Sequence, residues 1–362
     1  YQGKNLELEY IKTQISLISL IRDKFVSSNL ELSTKSIQLK DLVTFVRLAT
    51  NKPELFILES AVKRGSVIAD IILNFDENGK IKQDYKFKGI LKDGKIKLFK
   101  GYNFEKINFL LDVRNNIFNL NDINLKLNKI DLFSDNLKIT QNNKNFVIEG
   151  DLQNKNSYLN KELLKVLNLN IENFPFLNTY FTSKNNFSFN VNNKLKIKNL
   201  IVSSEIHVKN SEYQKPVFFN DYFPESSEII YIKDHNIKIN YKEENFTAEG
   251  VGKIKLEKKF DEIKYKISAK EKFFNLTSDV NLSELKFKNQ KFIKYFFPKS
   301  NEIIDLKNQQ LEINYSKNNL SVKGSGKIKL ENAFDNIDFF ISKINDNFIF
   351  DSQINLNKTL LF

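Results

Sequence analysis

The chain lacks several residue types on which common enzyme and metal chemistry depends. Among its 362 residues there is no cysteine, which excludes disulfides and cysteine-ligated metals, and there are only two histidines, His207 and His235. A histidine-rich catalytic or metal centre is therefore not expected, and no cofactor is predicted. Methionine is also absent and the chain begins at Tyr1, so we expect a segment of a longer protein.

Long apolar runs are missing too. No stretch reaches the length of a membrane-spanning helix, and no signal peptide is visible. The net charge is +12, but lysine is spread evenly and arginine is rare. Because sequence-specific nucleic-acid-binding proteins rely on clustered arginine, we predict no nucleic-acid partner.

Alternation of polar and apolar residues dominates what is present. The segments GKIKLF (94–99), NIKINY (236–241) and GKIKLE (252–257) are examples. A period of two gives a strand one wet face and one apolar face. Many such segments, joined by short polar turns, favour an antiparallel meander over a βαβ fold.

Turn signals separate the predicted strands. Asn-Gly in DENGK (76–80) and Asp-Gly in KDGK (92–95) tolerate the positive φ of tight hairpins. QNNKN (141–145) and VRNN (113–116) are rich in asparagine. Each of these four segments is predicted to be a turn.

Four segments are predicted to be helical. Apolar residues recur at helical spacing in residues 11–25 and 40–50, and a third patch covers residues 160–168. A short aromatic patch, residues 291–298, is stopped by its proline. These helices are too few to cover the apolar faces of so many strands.

One phrase occurs twice in the chain. EGVGKIKLEKKFDEI (249–263) returns 74 residues later as KGSGKIKLENAFDNI (323–337). The match extends without a gap over residues 224–282 and 298–356, with about four in ten positions identical. Self-similarity at a fixed period indicates an array of modules. Each module is predicted to be a short aromatic helix followed by four or five strands.

The predicted organisation has four parts. Residues 1–155 form an N-terminal strand block with two helical patches, and residues 156–222 form a helix plus strands of a divergent repeat unit. Residues 223–288 and 289–362 form two β repeat units. The last unit is expected to continue beyond the end of this sequence.

The glycines of the repeated phrase do not fit a phosphate-binding loop. GSGK (324–327) lacks the required spacing, Ile328 stands where serine or threonine would be needed, and a strand follows instead of a helix. We predict that these glycines mark a bend, a bulge or a close backbone approach in a strand. They are Gly250, Gly252, Gly324 and Gly326.

Residues capable of acid–base chemistry show no catalytic arrangement. Paired carboxylates such as Glu243 and Glu244 lie in polar turns and are interpreted as solvated charges. His235, in the predicted turn KDHN, aligns with Gln309 of the next module. The sequence therefore predicts neither an enzyme nor a metal site.

Several stretches together point to a known family. Residues 8–48 link predicted strands with short helices, and residues 65–99 contain FDENGKI followed by YKFKGILKD. Residues 107–139 continue this strand block, and the G-x-G-K-I-K-L modules come after it. This arrangement, over nearly the whole chain, resembles the AsmA-like family, in particular its large YhdP-like members.

The resemblance implies a mostly β fold: an elongated antiparallel repeating β-groove, which is a curved, twisted sheet with a few short helices. It implies a location in the periplasm, with an N-terminal anchor in the bacterial inner membrane that this sequence does not include. It also implies that phospholipid moves along the groove toward the outer membrane. The family has no catalytic residues to transfer.

The apolar phase of the strands supplies the candidates for lipid contact. An acyl chain gains about 0.8 kcal/mol for each CH₂ group taken out of water. Lysines at the rim would meet anionic head groups. The candidates, which are equally compatible with ordinary core packing, are Ile96, Leu98, Ile237, Ile239, Ile254, Leu256, Ile313, Ile328 and Leu330.

Two other interpretations stay open. A structural or adhesin-like β-repeat array would bury the same apolar phase in closed cores and bind no lipid. An outer-membrane β-barrel also alternates, but Lys358 would then fall in its apolar band. For the groove, the expected partners are phospholipids or other acyl lipids, together with envelope proteins.

Overall fold

The fold is built almost entirely from antiparallel strands. The computed structural model describes residues 7–15, 17–21, 27–50, 55–76, 78–82, 84–97, 102–142, 145–159, 175–192, 196–271, 273–317, 319–344 and 347–356. Within these ranges it contains nineteen strands and a few short helices. The predicted fold class, mostly β and antiparallel with few helices, is confirmed.

The strands are long for a globular protein, and most follow one another after a short turn. The first nine are β1 Leu8–Ile15, β2 Ser27–Thr34, β3 Ile37–Gln38, β4 Val62–Asn74, β5 Lys86–Lys97, β6 Asn103–Arg114, β7 Ile117–Leu127, β8 Ile130–Asn142 and β9 Asn145–Tyr158. The others are β10 Phe176–Asn192, β11 Ile197–Gln214, β12 Ile229–Lys242, β13 Asn245–Lys255, β14 Asp261–Lys270, β15 Phe273–Lys288, β16 Ile303–Ser316, β17 Asn319–Lys329, β18 Asp335–Ile344 and β19 Asn347–Asn355.

The helices are short and lie between strands. They are α1 Leu17–Ile21, α2 Leu39–Thr50, α3 Leu55–Ala61, α4 Lys291–Phe296 and a 3-10 helix, Val217–Asp221. Helices α2 and α4 confirm the predictions for residues 40–50 and 291–298. The predicted helix at residues 160–168 lies outside the described residues.

The helix predicted for residues 11–25 is wrong in its first part. Leu8–Ile15 forms strand β1, in which Ile11 lies opposite Leu32 of β2, while α1 spans Leu17–Ile21 and residues 22–25 lie outside the described residues. Backbone hydrogen bonds to β2 satisfy the N–H and C=O groups of β1. This non-local pairing overrides a local spacing that also fits a helix.

Two predicted turns are confirmed. Asn115 and Asn116 connect β6 to β7 with φ values of 49° and 64°. In DENGK the carboxylate of Asp76 accepts hydrogen bonds from the backbone N–H groups of Asn78 and Lys80, at 2.9 and 2.8 Å. Gly79 there has a φ of 75°, which glycine adopts without strain.

The hairpin predicted at KDGK is wrong. Strand β5 continues through this segment to Lys97, with Leu91 opposite Phe109 and Gly94 opposite Ile107 of β6. Asp93 has a φ of 49° and marks a bulge inside the strand. A Cβ atom on Gly94 would lie 3.0 Å from the Cβ of Ile107. The glycine therefore permits close packing between two strands and does not reverse the chain.

The chain groups into two compact units. Unit 1 comprises Tyr1–Leu169 and Lys184–Leu200, and unit 2 comprises Asn170–Ser183 and Ile201–Phe362. In unit 1, β2 pairs with β1 and β4, and each strand from β3 to β8 pairs with the next. In unit 2, each strand from β11 to β18 pairs with the next.

The core of unit 1 lies where helix α2 covers the sheet. Leu39 and Leu42 of α2 pack against a cluster of buried side chains, and Arg47 Nε lies 2.6 Å from Glu59 Oε2, which ties α2 to α3. A hydrogen bond from Thr44 and the charge of Arg47 lower the pKa of Glu59. The cluster consists of Ile37, Val67, Ala69, Leu91 and Ile107.

Unit 2 contains two similar cores, one in each module. The connector between β11 and β12 places Phe223 against a cluster of Leu256, Val280, Leu282 and Leu285. The connector between β15 and β16 places Phe297, 74 residues after Phe223, in a cluster with Ile304, Ile328, Leu330 and Ile337. In each module one end of the apolar face is thus sealed by an aromatic connector.

The same hydrogen bonds fasten both connectors. Lys215 Nζ donates to Ser226 Oγ at 3.0 Å, and its counterpart Asn289 donates through Nδ2 to Ser300 Oγ at 2.7 Å. The Ser226 hydroxyl donates to Phe223 O at 2.7 Å, and that of Ser300 donates to Phe297 O at 2.6 Å. The repeated sequence therefore folds into a repeated structure.

Truncating a sealed core residue should destabilise the chain far more than truncating a half-exposed one. Leu330 is completely buried, whereas Leu320 of β17 is only half-buried. We expect Leu330→Ala to lower the free energy of unfolding by about 2–5 kcal/mol, because it leaves a cavity. Leu320→Ala is the matched control and should cost less than half as much in urea denaturation followed by circular dichroism. Equal losses of unfolding free energy in the two variants would contradict the division of the apolar face into a sealed part and a half-exposed part.

Candidate functional site

The sheet of unit 2 has one polar and one apolar face. In β12, Lys238 and Asn240 point to one side, and Ile237 and Ile239 point to the other. Residues opposite each other in an antiparallel ladder share a face, so the register carries this division from strand to strand. The apolar face is the one sealed by the connectors at one end.

Beyond the sealed clusters, the apolar face continues as a band that we call the apolar stripe. Its rows follow the register, for example from Ile313 to Val322, Ile341 and Phe350. Most of its side chains are half-buried, and Phe350 is 49% exposed. The stripe consists of Ile237, Ile239, Ala248, Ile267, Leu276, Ile313, Tyr315, Val322, Ile341 and Phe350.

Two buried polar side chains mark the border between the sealed clusters and the stripe. His235 in β12 and Gln309 in β16 occupy equivalent positions of the two modules and are 7% and 2% exposed. Each follows a residue with positive φ, Asp234 at 48° and Asn308 at 52°, where the strand register is interrupted. The turn predicted at KDHN is therefore wrong, because this segment is a bulge inside a strand.

The four glycines of the repeated phrase lie beneath large side chains. A Cβ atom on Gly252 would lie 2.3 Å from Nδ1 of His235, and one on Gly250 would lie 2.2 Å from the ring of Tyr265. In the second module, Gly326 makes the same room for Gln309 and Gly324 for Phe339, at 2.3 and 2.1 Å. These glycines therefore allow close approach of side chains, while the bulge itself lies on the neighbouring strand.

The two border residues form different hydrogen bonds. Gln309 Nε2 donates to Lys307 O at 3.1 Å and to Lys327 O at 2.9 Å, which joins both strands at the bulge. His235 Nε2 lies 3.2 Å from the hydroxyl oxygen of Tyr265, and its Nδ1 has no hydrogen-bond partner among the residues that the structure describes. Burial lowers the pKa of His235 and raises the pKa of Tyr265, so the neutral form of both is favoured.

The opposite face of the sheet is charged and wet. Lys266 and Glu249 form a cross-strand ion pair at 2.7 Å, and their hydrogen bond lowers the pKa of Glu249. A cavity of about 830 Å³ on this face is lined largely by polar side chains, including Asp279, Glu312 and Lys323. Leu311, Phe339 and Phe340 complete the lining, so the cavity is of mixed polar and apolar character. Among the described residues, no group of three or more acidic or histidine side chains could hold a metal ion.

The candidates for lipid contact fall into different environments. Ile237, Ile239 and Ile313 are half-buried members of the stripe, and Ile313 also packs against the sealed cluster of the first module. The remaining candidates of unit 2 belong to the sealed clusters or pack against them, and Ile96 packs against the core of unit 1. These cluster residues are Ile254, Leu256, Ile328 and Leu330, while Leu98 lies outside the described residues. Tyr315 and Ile341 join the stripe without having been singled out from the sequence.

Unit 1 carries a comparable row on its own apolar face. Cross-strand partners run from Ile71 in β4 to Phe87, then to Val113 and Phe118, and on to Ile139 in β8. All of these except the buried Val113 are half-buried. A half-exposed apolar row is thus a property of both units.

Comparisons with known proteins yield no match to any family model, curated protein or solved structure. Within the described part of the chain, no helix is long and apolar enough to cross a membrane. The function of the chain is therefore inferred from its own geometry and from its resemblance to the AsmA-like family.

Acid should weaken the protein through His235. Its folded pKa lies below the unfolded value of about 6.5, so stability is lost as pH falls through that value toward the folded pKa. Each unit of difference between the two pKa values corresponds to about 1.4 kcal/mol. His235→Gln installs the residue of the second module. We expect its free energy of unfolding, measured in urea, to differ less between about pH 7.5 and about pH 5 than that of the wild type.

Half-buried Glu257 acts on stability in the opposite direction. Burial raises its pKa, so its contribution to stability increases as pH falls, opposite to that of His235. Because Glu257 is present in both proteins, its effect cancels in the comparison. An identical pH dependence in wild type and His235→Gln would show that the histidine is not held neutral.

Proposed function

We propose that this chain binds the acyl chains of phospholipids along the apolar stripe and carries them through the periplasm between the inner and outer membranes of a bacterial envelope. The observation that carries the proposal is the apolar stripe. It is half-exposed, continuous in register over strands β12–β19, and adjacent to clusters that are fully sealed. Placement in the periplasm with an inner-membrane anchor is supported by the resemblance to the AsmA-like family.

The dimensions of the stripe suit lipid. Neighbouring strands lie about 4.8 Å apart, so eight strands span about 34 Å across the sheet. A bilayer core of about 30 Å contains two layers of acyl chains. Each chain is therefore about 15 Å long, and the stripe offers room for more than one chain in succession.

The energetics fit binding without a single decisive residue. An acyl chain gains about 0.8 kcal/mol for each CH₂ group removed from water, wherever along the stripe it lies. A chain that slides along a continuous apolar surface keeps this gain at every step. Such binding does not depend on any one polar or charged side chain.

A structural β-repeat array is the second candidate. The sealed clusters favour it, because Ile304 and Leu330 are completely buried and leave no room for a ligand. In such an array the half-exposed stripe would be covered by another protein and not by lipid. The two candidates differ in whether lipid contacts the stripe.

Photo-crosslinking at neighbouring positions of one strand tests the proposal. A benzophenone side chain is placed at Ile239 of the stripe or at Lys238, which is exposed on the polar face of the same strand. Irradiation in cells, followed by mass spectrometry of the purified protein, should give a phospholipid adduct at position 239. We expect the adduct at position 238 to be at least about tenfold weaker, because that side chain faces water.

The same experiment separates the two candidates. Equally low yields of phospholipid adduct at positions 239 and 238 would contradict lipid binding by the stripe. A crosslink from position 239 to another protein, without lipid, would favour the structural array. Circular dichroism of both variants controls for correct folding.

A further inference from the structure

The two connectors of unit 2 share a scaffold but differ in surface. The first connector (residues 215–228) and the second connector (residues 289–302) have the same buried anchors and hydrogen bonds described above. Both expose aromatic side chains at equivalent positions, 74 residues apart. These are Phe218 (64%) and Tyr222 (48%) in the first, and Phe292 (49%) and Phe296 (58%) in the second.

The charge of the two surfaces has opposite sign. Where the first connector has Val217, Asn220 and Glu225, the second has Lys291, Lys294 and Lys299. Asp221 and Glu228 add further negative charge to the first connector. In the second, Glu302 is the only acidic residue, and it forms an ion pair with Lys294. The second connector is therefore aromatic and basic, and the first is aromatic and acidic.

Among the residues that the structure describes, the most exposed aromatic ring belongs to the basic connector. Tyr295 is 80% exposed, and Asp221 occupies its position in the first connector. The ring is not exposed because its segment is loosely attached. Phe297 N donates to Ile293 O at 2.8 Å, and both of these side chains contact the sealed cluster beneath helix α4. The helix thus holds Tyr295 outward on a fixed base.

We propose that the second connector is a docking site for an anionic phospholipid membrane surface. Tyrosine and phenylalanine insert at the level of the lipid head groups, and nearby lysines are attracted to anionic lipids. A helix of six residues offers much less area than the 20–30 residues that each partner of a stable protein interface contributes. This surface borders the stripe, since the rings of Phe292 and Phe350 have centroids 5.4 Å apart, but membrane docking does not require lipid along the stripe.

Single-tryptophan variants test this directly, because the chain contains no tryptophan. Tyr295→Trp reports on the second connector, and Phe218→Trp is the matched control in the first. Both are titrated with vesicles of phosphatidylcholine alone and with vesicles in which one third is phosphatidylglycerol. We expect the emission of Tyr295→Trp to shift to the blue with anionic vesicles only, and that of Phe218→Trp to stay unchanged with both.

Charge reversal provides the second readout. Adding Lys291→Glu and Lys299→Glu to Tyr295→Trp should weaken vesicle binding by about tenfold or more, since each lysine contributes to attraction by anionic lipid. Both positions are exposed, so circular dichroism should show an unchanged fold. No shift for Tyr295→Trp, an equal shift for Phe218→Trp, or equal binding to neutral vesicles would overturn the proposal.

Discussion

Every feature of this protein depends on the pairing of antiparallel strands whose residues alternate between polar and apolar. Backbone hydrogen bonding between neighbours fixes the register, and the register carries one largely apolar face from strand to strand in each unit. A face of this kind must be covered by something, because apolar surface in water is unfavourable. The described part of the chain has few helices, and the connectors of unit 2 seal only one end of the face. The apolar stripe is what remains.

The two modules of unit 2 show which parts of the structure are constrained. The anchors Phe223 and Phe297, the connector serines and the paired glycines occupy equivalent positions and make equivalent contacts. Glycine is required where a ring or amide from a neighbouring strand lies directly above the backbone. The border residue varies between His235 and Gln309, since either can fill the space at the bulge. The outer surface varies most, which is where the connectors acquire opposite charge.

Much of the fold could be predicted from the sequence, because alternation, turn residues and an internal repeat are local signals. The segments that were misjudged are those whose conformation depends on distant partners. Asp-Gly at residues 93–94 resembles a hairpin turn, but pairing with β6 makes it a bulge. The segment around His235 was likewise expected to be a turn and is a bulge inside β12. Residues 11–15 have helical spacing, yet pairing with β2 makes them a strand.

The site could be predicted only in part, for a related reason. Ile313 and Leu330 alternate with polar neighbours in the same way, so the sequence treats them alike. Leu330 is completely buried in the cluster with Phe297 beneath helix α4, whereas Ile313 stays half-buried and packs against the cluster of the first module. Which half of an apolar face is sealed is a property of tertiary structure. Alternation shows that the face exists, and the connectors decide how much of it stays open.

The central claim is that the open part of the apolar face holds lipid. Native mass spectrometry of the chain purified without detergent, followed by lipid extraction and identification, tests it most directly. The account predicts phospholipid bound in more than one copy, released on unfolding. A folded chain with a lipid-free mass, expressed in cells that contain a bacterial envelope, would contradict it.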